Sequence, residues 1–300
     1  MRGMVLDMNH VFKPFQIQTS DPDVQIVGRI RGEGPPLLLL HGNPLTQMSW
    51  DRIAPRLAEH FTVVTTDLRG YGDSSKPEGK ADHANYTFRR MALDQVEVMQ
   101  ALGFQQFGVA GHDRGARTAF RMAMDHPSTV QKVAFLDILP THSVFREIAP
   151  QMALDLYHWW FMAQPKGFPE TLLRNNEEYY IRNKLMKQGP GKGGFTEAEI
   201  LEYIRVCTPE NIHSVCEDYR AAATLDLEMD TADFQAGRKI MPPALILWGE
   251  KSHTSQYQNP LTEWPQYCAN IVRMKALPCG HYPTEQAPNE TFEELLAFFR

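Results

Sequence analysis

The segment Gly111-His112-Asp113-Arg114-Gly115 constrains this chain more than any other. It follows Phe107 to Ala110, a short apolar run suited to a buried strand, and precedes Ala116 to Met124, a run of good helix formers that stops before Asp125-His126-Pro127. A G-x-nucleophile-x-G spacing at a strand-to-helix junction describes a strained turn that lifts its central side chain above a sheet edge. That central residue is Asp113, where serine-dependent enzymes of this spacing carry serine. The plainer alternative is a tight turn flanked by two glycines, with Asp113 capping the next helix.

A carboxylate at this position narrows the chemistry. Attack on an ester carbonyl would give an anhydride, whereas attack on an sp³ carbon gives an ordinary ester and expels a halide or an epoxide oxygen. Water must then break the ester, and histidine is the usual general base for that step. In the chain order nucleophile, acid, histidine, the candidate base is His281, in Pro278-Cys279-Gly280-His281. His41 and His112 fall in turns and read as structural.

The base needs a carboxylate to orient it. After Ala244 to Trp248 the sequence runs Gly249-Glu250-Lys251-Ser252-His253-Thr254, with no aspartate and with Glu250 placed too early. Asp137, in Phe135-Leu136-Asp137-Ile138-Leu139-Pro140, is preferred, because a lone carboxylate ending an apolar strand is costly without a partner. A turn or helix cap is its competing role. The tetrahedral stage requires backbone donors, assigned to the N–H groups of Arg114 and of Asn43 in the loop His41-Gly42-Asn43-Pro44. The guanidinium groups of Arg114 and Arg117 beside the nucleophile suit a substrate carboxylate, with an internal salt bridge as the alternative.

Around this segment, from about residue 35 to 140, apolar runs alternate with helical patterns, as in a mostly parallel sheet covered by helices. Strands are expected at Leu37–Leu40, Thr62–Thr66, Gln106–Ala110, Val130–Leu136, Ala244–Trp248 and Ile271–Leu277. Helices are expected near Trp50–His60, Thr87–Leu102, Ala116–Asp125 and Thr291–Phe299. From 141 to about 222 the pattern is helical and aromatic-rich and reads as an inserted cap, broken at Gln188-Gly189-Pro190-Gly191-Lys192-Gly193-Gly194. The remainder, 1–140 and 223–300, forms the core.

The 300 residues carry 22% charged side chains and a net charge of −6, with no basic stripe of the kind nucleic-acid binding needs. Met1 to His10 has no signal-peptide pattern, and the longest aliphatic run, Leu37 to Leu40, is far short of a membrane span, so a cytoplasmic protein is expected. Cys207, Cys216, Cys268 and Cys279 lack C-x-x-C spacing, which points to neither a metal site nor a redox pair. No metal, nucleotide or flavin signature is present, and displacement followed by ester hydrolysis needs no cofactor.

The chain resembles the haloacetate and fluoroacetate dehalogenases of the α/β-hydrolase superfamily. The resemblance rests on Gly111-His112-Asp113-Arg114-Gly115-Ala116-Arg117, Asp67-Leu68-Arg69-Gly70-Tyr71-Gly72-Asp73-Ser74, Leu136-Asp137-Ile138-Leu139-Pro140-Thr141, Tyr157-His158-Trp159, Cys216-Glu217-Asp218-Tyr219-Arg220-Ala221-Ala222-Ala223-Thr224 and Gly280-His281. It implies the α/β-hydrolase fold and a homodimer that converts a short 2-haloacid and water to a hydroxyacid and halide. Asp113 would be the nucleophile, Asp137 and His281 would activate water, and Arg114 and Arg117 would hold the carboxylate. His158, Trp159 and Tyr219 would receive the halide.

Asn43 stands where this family usually has Phe, and there the chain is similar instead to haloalkane dehalogenases, whose Asn helps hold the halide. Trp160 and Tyr282-Pro283-Thr284 also depart from the family pattern. The rival readings are an epoxide hydrolase, which needs tyrosine donors such as Tyr219 with Tyr157, Tyr179 or Tyr180, and a non-catalytic ligand-binding protein of the same fold.

Overall fold

A computed structural model describes residues 11–187 and 194–300. Met1 to His10 and most of the glycine-rich break, residues 188–193, lie outside the described residues.

Eight strands form one sheet: β1 (Lys13–Gln18), β2 (Gln25–Arg31), β3 (Pro36–Leu40), β4 (Thr62–Thr66), β5 (Phe107–His112), β6 (Val130–Leu136), β7 (Ala244–Gly249) and β8 (Ile271–Leu277). Their order is β1-β2-β4-β3-β5-β6-β7-β8, antiparallel from β1 through β4 and parallel from β4 to β8. The expected strands are all present. β1 and β2 were not anticipated, although the alternation of Phe15 and Ile17 and of Ile26 and Ile30 across the Asp21-Pro22 turn is their signal.

Continuous apolar runs arise because the central strands are covered on both faces. In β3, Leu38 and Leu40 enter one core cluster, whereas Leu37 and Leu39 enter the other.

Helices α1 (Ala54–Leu57), α2 (Phe88–Ala101) and α3 (Arg114–Asp125) connect the first strands. The helix expected over 50–60 is reduced to a 3-10 turn, Gln47–Trp50, and the short α1. Pro55 explains the break, since it has no N–H to donate and its ring excludes a preceding helical turn. Between β6 and β7 lie α4 (Thr141–Arg146), α5 (Pro150–Asp155), α6 (Tyr157–Met162), α7 (Phe168–Leu173), α8 (Glu177–Lys187), α9 (Glu197–Val206), α10 (Pro209–Ala221) and α11 (Leu227–Gln235). Residue 222 begins a π-helical turn, Ala222–Asp226, that joins α10 to α11. Then come α12 (His253–Tyr257), α13 (Pro260–Tyr267), α14 (Pro283–Gln286) and α15 (Pro288–Phe299).

The register of the parallel strands assembles one site. Leu40 pairs with Gly111, His112 with Leu136, Leu136 with Leu247, and Gly249 with Leu277. The loop after β3, Asp113, Asp137 and the turn before His281 therefore meet at the carboxyl ends of neighbouring strands, the edge where open α/β sheets place ligands. All four cysteines are buried free thiols. Among the described residues no helix is long and apolar enough to cross a membrane.

Candidate active site

The turn at Asp113 is as strained as its spacing predicts, with φ 48° and ψ −115°. Both flanking glycines are required by close approach: a Cβ on Gly111 would lie 2.4 Å from the Gly115 carbonyl oxygen, and one on Gly115 would lie 2.4 Å from that of Leu40. β5 runs through to His112, two residues beyond the expected end, and α3 starts immediately after Asp113. The Asp113 side chain makes no capping bond to that helix. Its Oδ1 instead accepts a hydrogen bond from the Asn43 backbone N–H at 2.9 Å. Burial alone would raise its pKa, but positive charge at His281, His112 and Arg114 and the Asn43 N–H hold the carboxyl well below the usual range.

His281 joins the two aspartates. Its Nδ1 lies 2.6 Å from Asp137 Oδ2, and its Nε2 lies 3.8 Å from Asp113 Oδ2. Asp137, at φ 52° beyond β6, accepts through its other oxygen from Gly249 N and Ser252 Oγ, each at 2.8 Å. Glu250 is exposed, and the loop after β7 contributes Ser252 instead. Burial opposes the charge on both partners. The Asp137 carboxylate nevertheless raises the pKa of His281, and His281 lowers that of Asp137.

The other two histidines near the elbow serve the backbone. His112 Nε2 donates to the His281 carbonyl oxygen at 2.7 Å. His41 Nδ1 donates to the Gly42 carbonyl oxygen at 2.8 Å, and its Nε2 accepts from Leu68 N at 3.1 Å.

The two arginines part company. Arg117 lines a cavity of about 40 Å³ with Asp113, Asp137 and His281. Its Nη1 donates to the Leu139 carbonyl oxygen at 3.1 Å and to Thr141 Oγ1 at 2.9 Å. Among the described residues it has no carboxylate partner, and burial, then Arg114, lowers its pKa to about 10, which leaves it charged at neutral pH. Arg114 stands behind the cavity lining, paired with buried Asp218: Nε donates to Oδ2 at 2.9 Å, and Nη2 reaches both Oδ1 and the backbone oxygen. Its guanidinium lies 4.0 Å from the Tyr219 ring centroid, and only Nη1 lacks a partner.

His158, Trp159 and Asn43 also line the cavity, whereas Tyr219 packs behind them. The Tyr219 ring lies 5.7 Å from that of His158 and 6.2 Å from that of Trp159, both edge-on. Asn43 Nδ2 donates to the Tyr219 hydroxyl at 3.2 Å. Neither the His158 ring nor the Trp159 indole N–H has a hydrogen-bond partner among the described residues, and burial, then Lys184, holds His158 neutral. At roughly 10–15 Å³ per water, the cavity has room for about three waters or a molecule of a few heavy atoms.

The sequence matches the alpha/beta hydrolase fold family over residues 35–288. The chain belongs to the α/β-hydrolase family. This α/β hydrolase is 42% identical over 291 residues to fluoroacetate dehalogenase from Burkholderia sp, covering 96% of this chain and 95% of the relative. It is 32% identical over 272 residues to soluble epoxide hydrolase from Corynebacterium sp. (strain C12), covering 89% and 91%. A solved structure of an alpha/beta hydrolase from Nostoc sp PCC 7120 superposes with a TM-score of 0.93 at 48% identity, covering 97% of this chain and 99% of that one.

Three residues of the hydrolase's site escape sequence reasoning. Asp218 sits in a segment singled out only for its resemblance, and nothing local marks it as the partner of Arg114. His253 lines the cavity with its ring 5.2 Å from that of His281, and burial, then His281, lowers its pKa to about 4. Lys184 lines the cavity from α8, where a lysine reads as an ordinary surface charge.

Proposed function

We propose that this α/β hydrolase removes halide from short 2-haloacids such as fluoroacetate or chloroacetate. The observation that carries the reading is the pairing, in one small cavity, of a buried ionised Asp113 with Arg117, a buried cation without a carboxylate of its own. Residues 141–222 act as a cap over that cavity, and the relative of Burkholderia sp named for fluoroacetate supports the substrate class.

Asp113 Oδ2 attacks the carbon that bears the halogen. The C–O bond forms as the C–X bond breaks, and the electron pair leaves with the halide. Asp113 Oδ1 stays with the Asn43 N–H, where the ester carbonyl is polarised, and the Arg114 backbone N–H is the second donor. His281 Nε2 then takes a proton from water, whose oxygen attacks Cγ. Collapse of the tetrahedral intermediate releases the hydroxyacid and restores Asp113. Arg117 holds the substrate carboxylate, while the unpaired Nη1 of Arg114 is the single donor that residue has left to offer.

The Corynebacterium relative brings the epoxide reading into view, because ring opening uses the same aspartate and histidine. It also needs acidic hydroxyls on the epoxide oxygen. Among the described residues the tyrosine that lines the cavity is Tyr257, and its hydroxyl is already donated to Asp155. Purified protein incubated separately with fluoroacetate, chloroacetate and a styrene-type epoxide tests the choice. Halide without diol is the expected result, and diol without halide would overturn it.

A further inference from the structure

Lys184 is 6% exposed, and among the described residues it makes no hydrogen bond and no ion pair. It nonetheless lines the same cavity as Asp113, from the wall built by α6 and α8. Burying an ammonium without a counter-charge is expensive, and such a group persists where a ligand supplies the missing anion. Burial pushes its pKa down to about 8, opposed by the charge of Asp113, so the ammonium is still largely protonated at neutral pH.

The cavity thus holds two cations without carboxylates of their own, on different walls. Arg117 projects from α3, beside the nucleophile, and is tied to Leu139 and Thr141. Lys184 projects from α8, and its charge acts on His158, the neutral ring beside Trp159 and Tyr219. A 2-haloacid brings one negative charge, which Arg117 answers. Displacement consumes the charge on Asp113 and creates a new anion on the halide. Backside attack sends that anion away from Asp113.

We propose that Lys184 is the charged member of the leaving-group site, its ammonium holding the departing halide while His158 and Trp159 supply neutral N–H donors. The electron pair of the C–X bond goes to the halide, and Lys184 keeps its proton throughout. The inference rests on the dehalogenase reading for the reaction, but halide binding can be measured without turnover.

The test uses full-length wild type, K184M and K184R. Chloride and bromide are titrated against tryptophan fluorescence, since Trp159 lines the cavity, and steady-state halide release is followed from fluoroacetate, chloroacetate and bromoacetate. Loss of a charge-assisted contact should weaken halide binding by roughly 10- to 100-fold in K184M, with K184R within about threefold of wild type. Fluoride release should fall further than bromide release, because fluoride concentrates the most charge, while KM for the haloacids stays within about threefold.

Halide binding unchanged in K184M would overturn the proposal. So would an equal loss on all three substrates accompanied by a raised KM, which would place Lys184 at the carboxylate. If K184M does not fold, K184Q is judged by the same criteria. Lys184-dependent halide binding in a wild type that releases no halide would uphold this site and sink the reaction reading instead.

Discussion

Replacing Asp137 by asparagine should separate the two halves of the reaction. The side chain fits in one orientation: Oδ1 accepts from both Gly249 N and Ser252 Oγ, so the amide oxygen must occupy that position. Flipping the amide would break two hydrogen bonds of about 1 kcal/mol each and set an NH₂ against two buried donors, a bias of more than roughly 2 kcal/mol. The NH₂ group then faces His281 Nδ1, where the carboxylate stood at 2.6 Å. Nδ1 must accept, the proton moves to Nε2, and the ring loses the lone pair that would take a proton from water. A wrong tautomer of this kind lowers turnover by about 10⁴-fold in serine enzymes. Alkylation uses ionised Asp113 and does not call on the His281 base, so it should survive. Rapid-quench halide measurement with intact mass spectrometry should show one equivalent of halide per active site, then near arrest with a carboxymethyl group on the peptide containing Asp113. Sustained turnover within tenfold of wild type, or arrest with no burst and no adduct, would refute the assignment of Asp137 as the orienting acid and of hydrolysis as its step.

The pH dependence should also divide by step. His281 acts as a neutral base, and Asp137 raises its pKa, so ester hydrolysis should gain rate with rising pH through a midpoint above about 6.5. Alkylation, which depends on a carboxyl held below its usual range, should be flat across that window, and a shared limb in single-turnover experiments would contradict the division. Arg117→Met should raise KM for haloacids roughly tenfold or more while leaving a neutral haloacetamide within about threefold; equal losses on both would remove the carboxylate contact. Asp218→Asn leaves Arg114 charged and buried, which costs about 3–5 kcal/mol and lowers Tm by roughly 5–8 °C in calorimetry. A Tm within 2 °C of wild type, on that same scale, would show that the pair contributes little.

Much of the fold was legible because the inner parallel strands are buried on both faces, and the run at Val130–Leu136 coincides with β6 residue for residue; Ile271–Leu277 coincides with β8 as well, although that edge strand is largely exposed or half-buried. The edge pair β1 and β2 was harder to read, since β1 alternates only between exposed and half-buried side chains, β2 buries just two, and the hydrophobic signal is diluted accordingly. Proline position rather than apolar pattern decided the helix around Pro55. In the site, strand ends and chain order pointed to Asp113, Asp137 and His281, because an elbow and a carboxylate ending an apolar run leave local marks. In the structure His281 stands between the two aspartates, one at each ring nitrogen.

What the local sequence does not encode is the division of positive charge. Arg114 and Arg117 are three apart on one helix and so share a face, which is why both read as a clamp for one carboxylate. Their fates are set elsewhere, since Asp218, more than 100 positions along the chain, closes on Arg114 and leaves Arg117 without an acid among the described residues. The same distant ordering places Lys184 inside the cavity, so that of three buried cations near the nucleophile one is neutralised and two are left to meet anions. A reaction that binds one anion and creates another as the nucleophile loses its charge has a use for two. A neutral epoxide brings no anion for Arg117 to meet, since its only new charge is the alkoxide formed on ring opening, and it is this second anion, the substrate carboxylate, that separates two chemistries sharing the aspartate and histidine.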